Sequence, residues 1–106
     1  MPILTVFRSR LKPGVKTEYD VLAHEMSMLA EAMPGFVSEK TFTSADGERV
    51  TIVIFDDRNS HLAWRDHPRH RSAQEAGQTL LYAEYHVYSA EVDYEYSFSD
   101  GVAQRS

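Results

Sequence analysis

Apolar and polar positions change period several times along the chain, and each change marks an element. From Ile3 to Leu11 the residues alternate, with Ile3, Thr5 and Phe7 on one side and Leu4, Val6 and Arg8 on the other. A period of two predicts a strand, and apolar residues on both sides near its start predict cover on both faces. Pro13 and Gly14 end it in a turn. The period then lengthens. Val15, Tyr19, Leu22, Met26, Leu29, Ala30 and Met33 recur three or four positions apart, which predicts one helix over residues 15–33 with a single apolar stripe. Pro34 and Gly35 stop it. Residues 36–43 and 50–55 predict two further strands. The Asp46-Gly47 step between them suits the positive φ of a tight hairpin, so the two should be antiparallel neighbours. The run from Val50 to Phe55 is β-branched almost throughout, as in a strand covered on both faces.

A cluster of possible N-caps at residues 56–60 precedes a helix expected over residues 60–66. Pro68 disfavours helical backbone at His67, so the helix should break there and resume over residues 68–76 with proline in its first turn. Gly77 permits a bend, and residues 80–83 allow one more turn. A last strand is expected over residues 85–96. His86, Tyr88, Ala90, Val92, Tyr94 and Tyr96 lie on one side of it, and Tyr85, Val87, Ser89, Glu91, Asp93 and Glu95 on the other. Residues 98–106 are expected to be a flexible tail after one domain of residues 1–97. The order β-α-β-β-α-β is the split βαβ, or ferredoxin-like, arrangement of the α+β class: a four-stranded antiparallel sheet with helices on one face. The other face needs cover, which a second copy would supply in a dimeric α+β barrel.

Composition narrows the functions open to such a domain. The chain has 106 residues, 42% of them hydrophobic, enough for one packed core. Its formal net charge is -5, and no basic stripe suited to phosphates exists, so nucleic acid is an unsuitable partner. Cysteine is absent, which removes thiolate nucleophiles and Cys-ligated metals. No stretch approaches the roughly 20 apolar residues of a membrane span, and residues 1–11 lack signal-peptide character. A cytoplasmic protein without membrane contact is expected.

The segment Met33-Pro34-Gly35-Phe36, the Asp46-Gly47 hairpin, and the stretch from Trp64 to Arg71 with Ala73-Gln74 and Tyr82-Ala83-Glu84-Tyr85 resemble the antibiotic biosynthesis monooxygenase family over roughly residues 3 to 92. The Trp-x-x-His-Pro-x-His stretch is the most recognisable part. The resemblance implies a homodimer. It also implies an apolar pocket between helices and sheet for a small apolar or aromatic molecule, and a cofactor-independent monooxygenase of a phenolic, quinol or polyketide-like substrate. Phe7, Tyr19, Leu22, Met26, Phe36, Ile52 or Val53, Trp64, Tyr82 and Tyr88 are candidates for its walls. Which parity of each strand faces the helices stays open at this point. Two other readings share the fold: a non-catalytic binding or stress-response domain, and an isomerase or lyase of a small metabolite. Haem-degrading relatives carry an asparagine on the first strand and an axial histidine ten residues after the tryptophan. Here the second position is Gln74 and the first falls near Phe7 or Arg8, so the haem branch does not fit.

Histidine supplies the candidate chemistry. An imidazole can take a proton from a phenolic substrate near neutral pH. The expected catalytic residues are His67, beside the proline break, and His86, on the aromatic side of the last strand. His70 is expected at the surface or in a cap. Arg8 is expected to pair with Glu39 or Asp56. No recognised metal-ligand spacing is present, and no cofactor is expected.

Overall fold

The computed structural model describes residues 1–100 and, for the backbone alone, residues 102–105. Strand β1 (Ile3–Leu11) is followed by helix α1 (Lys16–Ala32), β2 (Phe36–Thr43), β3 (Arg49–Phe55), α2 (Arg58–Arg65), α3 (Pro68–Ala76), a π-helical turn (Gly77–Leu81) and β4 (Tyr82–Glu91). The sheet runs β2-β3-β1-β4 and every pairing is antiparallel. β1 is central. Its register sets Val6 opposite both Ile52 of β3 and Tyr88 of β4, so these three share one face.

The parity left open by the sequence is settled by what the helices cover. Ile3, Thr5 and Ser9 are buried, with Phe7 half-buried between them, whereas Leu4 and Val6 are half-buried and Arg8 is exposed. The odd-numbered positions of β1 therefore face the helices. Val53 and Phe55 of β3 face the same way, and with Ala30 and Trp64 they form a core that Met33 and Phe36 extend. Phe55 meets Phe36 edge-on, ring centroids 5.9 Å apart, and lies 5.2 Å from Trp64. The opposite face carries Leu4, Val6, Val50, Ile52 and Ile54, and among the described residues no helix packs on it.

Local chemistry accounts for the boundaries. Gly47 has φ +91° in the β2–β3 hairpin, where the Asp46 carboxylate accepts from the Glu48 amide at 3.1 Å and from the Ser44 hydroxyl. Asp57 caps α2 by accepting from the Ser60 amide at 2.8 Å. Pro68 holds His67 at ψ 134°, out of the helical region, and so separates α2 from α3. α2 begins two residues before the expected start because Asp57, rather than a later polar residue, is its cap. β4 begins at Tyr82, three residues early, because the chain leaves the π turn directly into the ladder beside Leu11. It ends at Glu91 rather than running to Tyr96, and residues 92–95 are irregular. Tyr96–Ser99, which straddles the expected domain end at residue 97, pairs with Val102–Arg105, inside the segment expected as a flexible tail, as strands β5 and β6. Gly101 and Ser106, also part of that segment, lie outside the described residues.

Candidate functional site

A cavity of about 380 Å³ lies between the helices and the sheet. Its floor is the helix-facing parity of all four strands: Thr5 and Phe7, Glu39 and Thr41, Thr51 and Val53, and Tyr85, Val87 and Ser89. Its roof is the apolar stripe of α1, with Tyr19, Leu22, Ala23 and Met26 in contact. α2 contributes His61, Trp64 and Arg65, and α3 contributes His70, Ala73 and Gln74. Tyr82 closes one end, meeting Phe7, Tyr19 and Tyr85 at ring separations of 5.4, 6.1 and 5.6 Å. Arg49 stands 4.8 Å above the Tyr19 ring. Burial raises the pKa values of the Tyr19 and Tyr82 phenols, so both stay protonated at neutral pH.

Most polar groups on the walls already hold each other. The Thr5 and Ser89 hydroxyls bond at 2.7 Å, those of Thr41 and Thr51 at 2.8 Å, and the Ser27 hydroxyl donates to the Glu39 carboxylate. The histidines differ. The Nδ1 of His70 is 3.1 Å from the carbonyl oxygen of Arg65. A carbonyl only accepts, so Nδ1 carries the proton and the neutral ring keeps an acceptor lone pair on Nε2. The His70 ring stacks on Trp64 at 4.4 Å and 26°. Burial lowers its pKa, against the raising effect of the bond to Arg65. His61 sits one turn before Trp64, ring centroids 6.0 Å apart, and is 6% exposed. Its Nδ1 has no hydrogen-bond partner. Burial, then the charges of Arg65 and Arg58, lower its pKa too.

Of the residues singled out from the sequence, Phe7, Tyr19, Leu22, Met26, Trp64 and Tyr82 line the cavity, and Val53 rather than Ile52 is the β3 residue there. Phe36 packs into the core instead. His67, His86 and Tyr88 are placed elsewhere. His67 is the N-cap of α3, its Nδ1 accepting from the Arg69 amide at 3.1 Å, because the proline break turns its ring back onto its own helix. His86 and Tyr88 stack on each other at 5.0 Å on the other face of the sheet, since β4 presents Tyr85, Val87 and Ser89 to the helices. His70, expected at the surface or in a cap, is a cavity residue. Arg8 pairs with Glu48 at 3.0 Å rather than with Glu39 or Asp56. His61 was missed, although its spacing of three from Trp64 puts both on one helical face. Among the described residues no group of three or more metal-ligating side chains converges, and no helix is long and apolar enough to cross a membrane.

Residues 2–76, from β1 through α3, match the sequence model of a family described as antibiotic biosynthesis monooxygenase. The uncharacterized protein YqjZ of Bacillus subtilis is 32% identical over 99 residues, covering 93% of this chain and 87% of that protein. Among solved structures, Rv0793 from Mycobacterium tuberculosis superposes with a TM-score of 0.76 at 19% identity, covering 96% of this chain and 100% of that one. SnoaB, a cofactor-independent oxygenase from Streptomyces nogalater solved as a point mutant, gives 0.75 at 16% identity, covering 87% and 93%. At these identities the structural likeness speaks for the ferredoxin-like fold alone.

Proposed function

Because the chain belongs to the antibiotic biosynthesis monooxygenase family, we propose that it is a cofactor-independent monooxygenase of a small phenolic or quinol-type aromatic, with His70 as the base. The observation that carries this reading is the state of His70: a neutral imidazole with its Nδ1 proton fixed on a carbonyl, held in an aromatic-walled cavity with Nε2 left to accept. A lowered pKa keeps that acceptor unprotonated at neutral pH.

The chemistry this permits balances without a protein-borne redox group. Nε2 takes the hydroxyl proton of the phenol, or the ring CH₂ proton of its keto tautomer, which gives the same anion with charge on a ring C–H carbon. That carbon passes electrons to dioxygen and a C–O bond forms as a hydroperoxide. The O–O bond then breaks with loss of the remaining proton on that carbon, so that one oxygen stays as a ring carbonyl and the other leaves as water. The substrate supplies all four electrons, and the cavity's part is to bind, deprotonate and exclude bulk water.

The reading includes a second copy of the chain. The sheet face opposite the cavity is apolar at Leu4, Val6, Ile52 and Ile54, with Tyr88 and Phe42 about half exposed beside them. A second sheet packed on it would remove that surface from water and close a barrel.

The test is oxygen uptake by the purified protein with anthrones and hydroquinones, with no flavin or metal added. Uptake that depends on protein, saturates with substrate and falls about 10²-fold in His70→Ala supports the proposal. Binding of these compounds without oxygen uptake would turn the reading to a non-catalytic binding domain.

A further inference from the structure

Glu39 brings a carboxylate to a cavity wall whose other polar groups are mostly paired with each other. It lies half-buried on the helix-facing side of β2, below the Tyr19, Leu22 and Met26 stripe of α1. The Ser27 hydroxyl donates to its Oε1. Among the described residues no cation pairs with it. Arg65, the other charged residue of the wall, is held by Asp66 at 3.0 Å. Lys40, next in β2, points to the other side of the strand, its Nζ 5.5 Å from the centre of the Phe42 ring. The second oxygen of Glu39, Oε2, accepts no hydrogen bond. It is nevertheless open to solvent. Among the described residues that are not themselves exposed, the one side-chain nitrogen or oxygen that is both closed off and unbonded is the Nδ1 of His61. A free, accessible carboxylate oxygen on this wall is available to a donor carried by a cavity occupant. Its charge is also felt inside the cavity: burial is the chief cause that raises the Tyr19 pKa, and the charge of Glu39 adds to it.

We propose that Glu39 is a specificity-determining residue of the cavity, its Oε2 accepting a hydrogen bond from a ligand hydroxyl and so selecting rings with a free hydroxyl over the same rings with that hydroxyl capped or oxidised. A carboxylate only accepts. A phenol can donate to it, whereas an ether oxygen or a quinone carbonyl cannot. The bond is charge-assisted, and therefore stronger than the one a neutral imidazole such as His70 offers to the same hydroxyl. Like charges repel, so the hydroxyl on Glu39 keeps its proton and His70 acts at another position of the ring. An oxidised ring, with carbonyls in place of hydroxyls, loses the bond, which favours release of a quinone product. The inference rests on the reading of the cavity as a site for phenolic ligands, and it is independent of oxygenation.

The experiment compares 2-naphthol with 2-methoxynaphthalene, which share a ring system and differ in the hydroxyl proton being replaced by a methyl group. Calorimetric titration without oxygen should show 2-naphthol binding about tenfold more tightly, the scale of one hydrogen bond to a charged group. Glu39→Leu should lose this preference and keep its affinity for 2-methoxynaphthalene. Glu39→Gln, whose amide oxygen still accepts but carries no charge, should keep a smaller one, about threefold. In the unsubstituted protein labelled with ¹³C-glutamate, saturation with 2-naphthol should shift the Glu39 carboxyl resonance, and 2-methoxynaphthalene should leave it nearly in place. This measurement needs no variant to fold. A preference that persists in Glu39→Leu, a resonance that responds alike to the two probes, or a protein that takes up both equally or neither would overturn the proposal. Discrimination without oxygen uptake would leave Glu39 as proposed and remove the oxygenase. Uptake with no discrimination would do the reverse.

Discussion

The imidazole of His70 lies on the indole of Trp64, ring centroids 4.4 Å apart and planes inclined by 26°. The two residues are six positions apart. In an unbroken helix that spacing turns side chains about 120° away from each other. The stacking exists because Pro68 interrupts the helix at His67 and α3 restarts in a new direction. The carbonyl of Arg65, exposed where α2 ends, then receives the Nδ1 proton of His70. The break thus fixes both the place and the tautomer of the proposed base.

The neighbouring histidines should therefore behave differently. His70→Ala should lower turnover about 10²-fold, the usual scale for losing a general base. His67→Ala removes only an N-cap acceptor and should cost about 1 kcal/mol of stability with turnover preserved. Steady-state oxygen uptake alongside urea denaturation of both variants separates the two effects. Equal loss of turnover in both would mean that the helix geometry, not the His70 imidazole, is what catalysis needs.

The architecture was legible because period and punctuation agreed. The alternation in β1, the three-and-four spacing of Tyr19, Leu22 and Met26, and the Asp46-Gly47 turn each have one structural solution. The helix-facing parity was not legible. β1 and β3 are apolar on both sides, so burial of either set satisfies the same pattern, and β4 offers tyrosines on both. That ambiguity sent His86 and Tyr88 to the wrong face. The proline break follows from the sequence, but its consequence for side-chain direction does not. His67 beside Pro68 is turned to cap its own helix, and His70, one turn further on, is carried into the cavity. His61 carried a signal in its spacing from Trp64. A histidine amid Arg58, Asn59, Ser60 and Arg65 nevertheless looks like part of a solvated face.

Acid should destabilise the fold in two separate windows. His61 and His70 both titrate below their ordinary 6.5 when folded. Between the folded and unfolded values the unfolded chain binds more protons, so stability rises with pH across that window and is flat above it. Each histidine adds a slope of at most about 1.4 kcal/mol per pH unit. The carboxyls of Asp46, Asp57 and Asp66 are also depressed from 3.8, Asp46 by hydrogen bonds from Ser44 and Arg10, Asp57 by those from Ser60, and Asp66 by those from Arg65 and Arg71, and their contribution is lost only below that value. Urea midpoints at pH 7.5, 6.5 and 5.5 should fall in that order, and the fall should be smaller in His61→Leu and in His70→Gln. An unchanged slope in both variants would assign the upper window to other groups.

Gly35 should tolerate no side chain. Its φ is +82°, and a Cβ placed there would stand 2.2 Å from the Ser60 hydroxyl oxygen and 2.5 Å from the Ser60 Cβ. The first fact is a backbone cost and the second a steric one, so Gly35→Ala should lose about 2–4 kcal/mol. Removing the Ser60 side chain in a Gly35→Ala, Ser60→Gly pair should restore the steric part and leave the backbone part. Denaturation midpoints of the single and double variants, referred to Ser60→Gly alone, measure both. Full recovery in the pair would mean that the positive φ costs nothing here.

The face of the sheet away from the cavity gives the sharpest test of assembly. Val6 stands opposite Ile52 on one side and Tyr88 on the other, with Leu4 opposite Ile54 in the next pair on that face, so an apolar strip crosses β3, β1 and β4. Among the described residues no helix lies on it, and Tyr88 is 50% exposed. If a second copy covers this strip, the protein should sediment as a dimer at micromolar concentration, with a total buried area above about 1,000 Å². Ile52 lies near the centre of the strip, facing away from the cavity that Thr51 and Val53 line. Ile52→Asp would bury an unpaired carboxylate on each side of a symmetric interface, a cost of several kcal/mol, and should weaken association by at least about 100-fold. In the separated monomer the new carboxylate stands in water, so the variant should keep its fold by circular dichroism. Sedimentation equilibrium of both proteins decides the matter: a monomeric parent would remove the second copy from the reading, and a variant as dimeric as its parent would move the interface to another face.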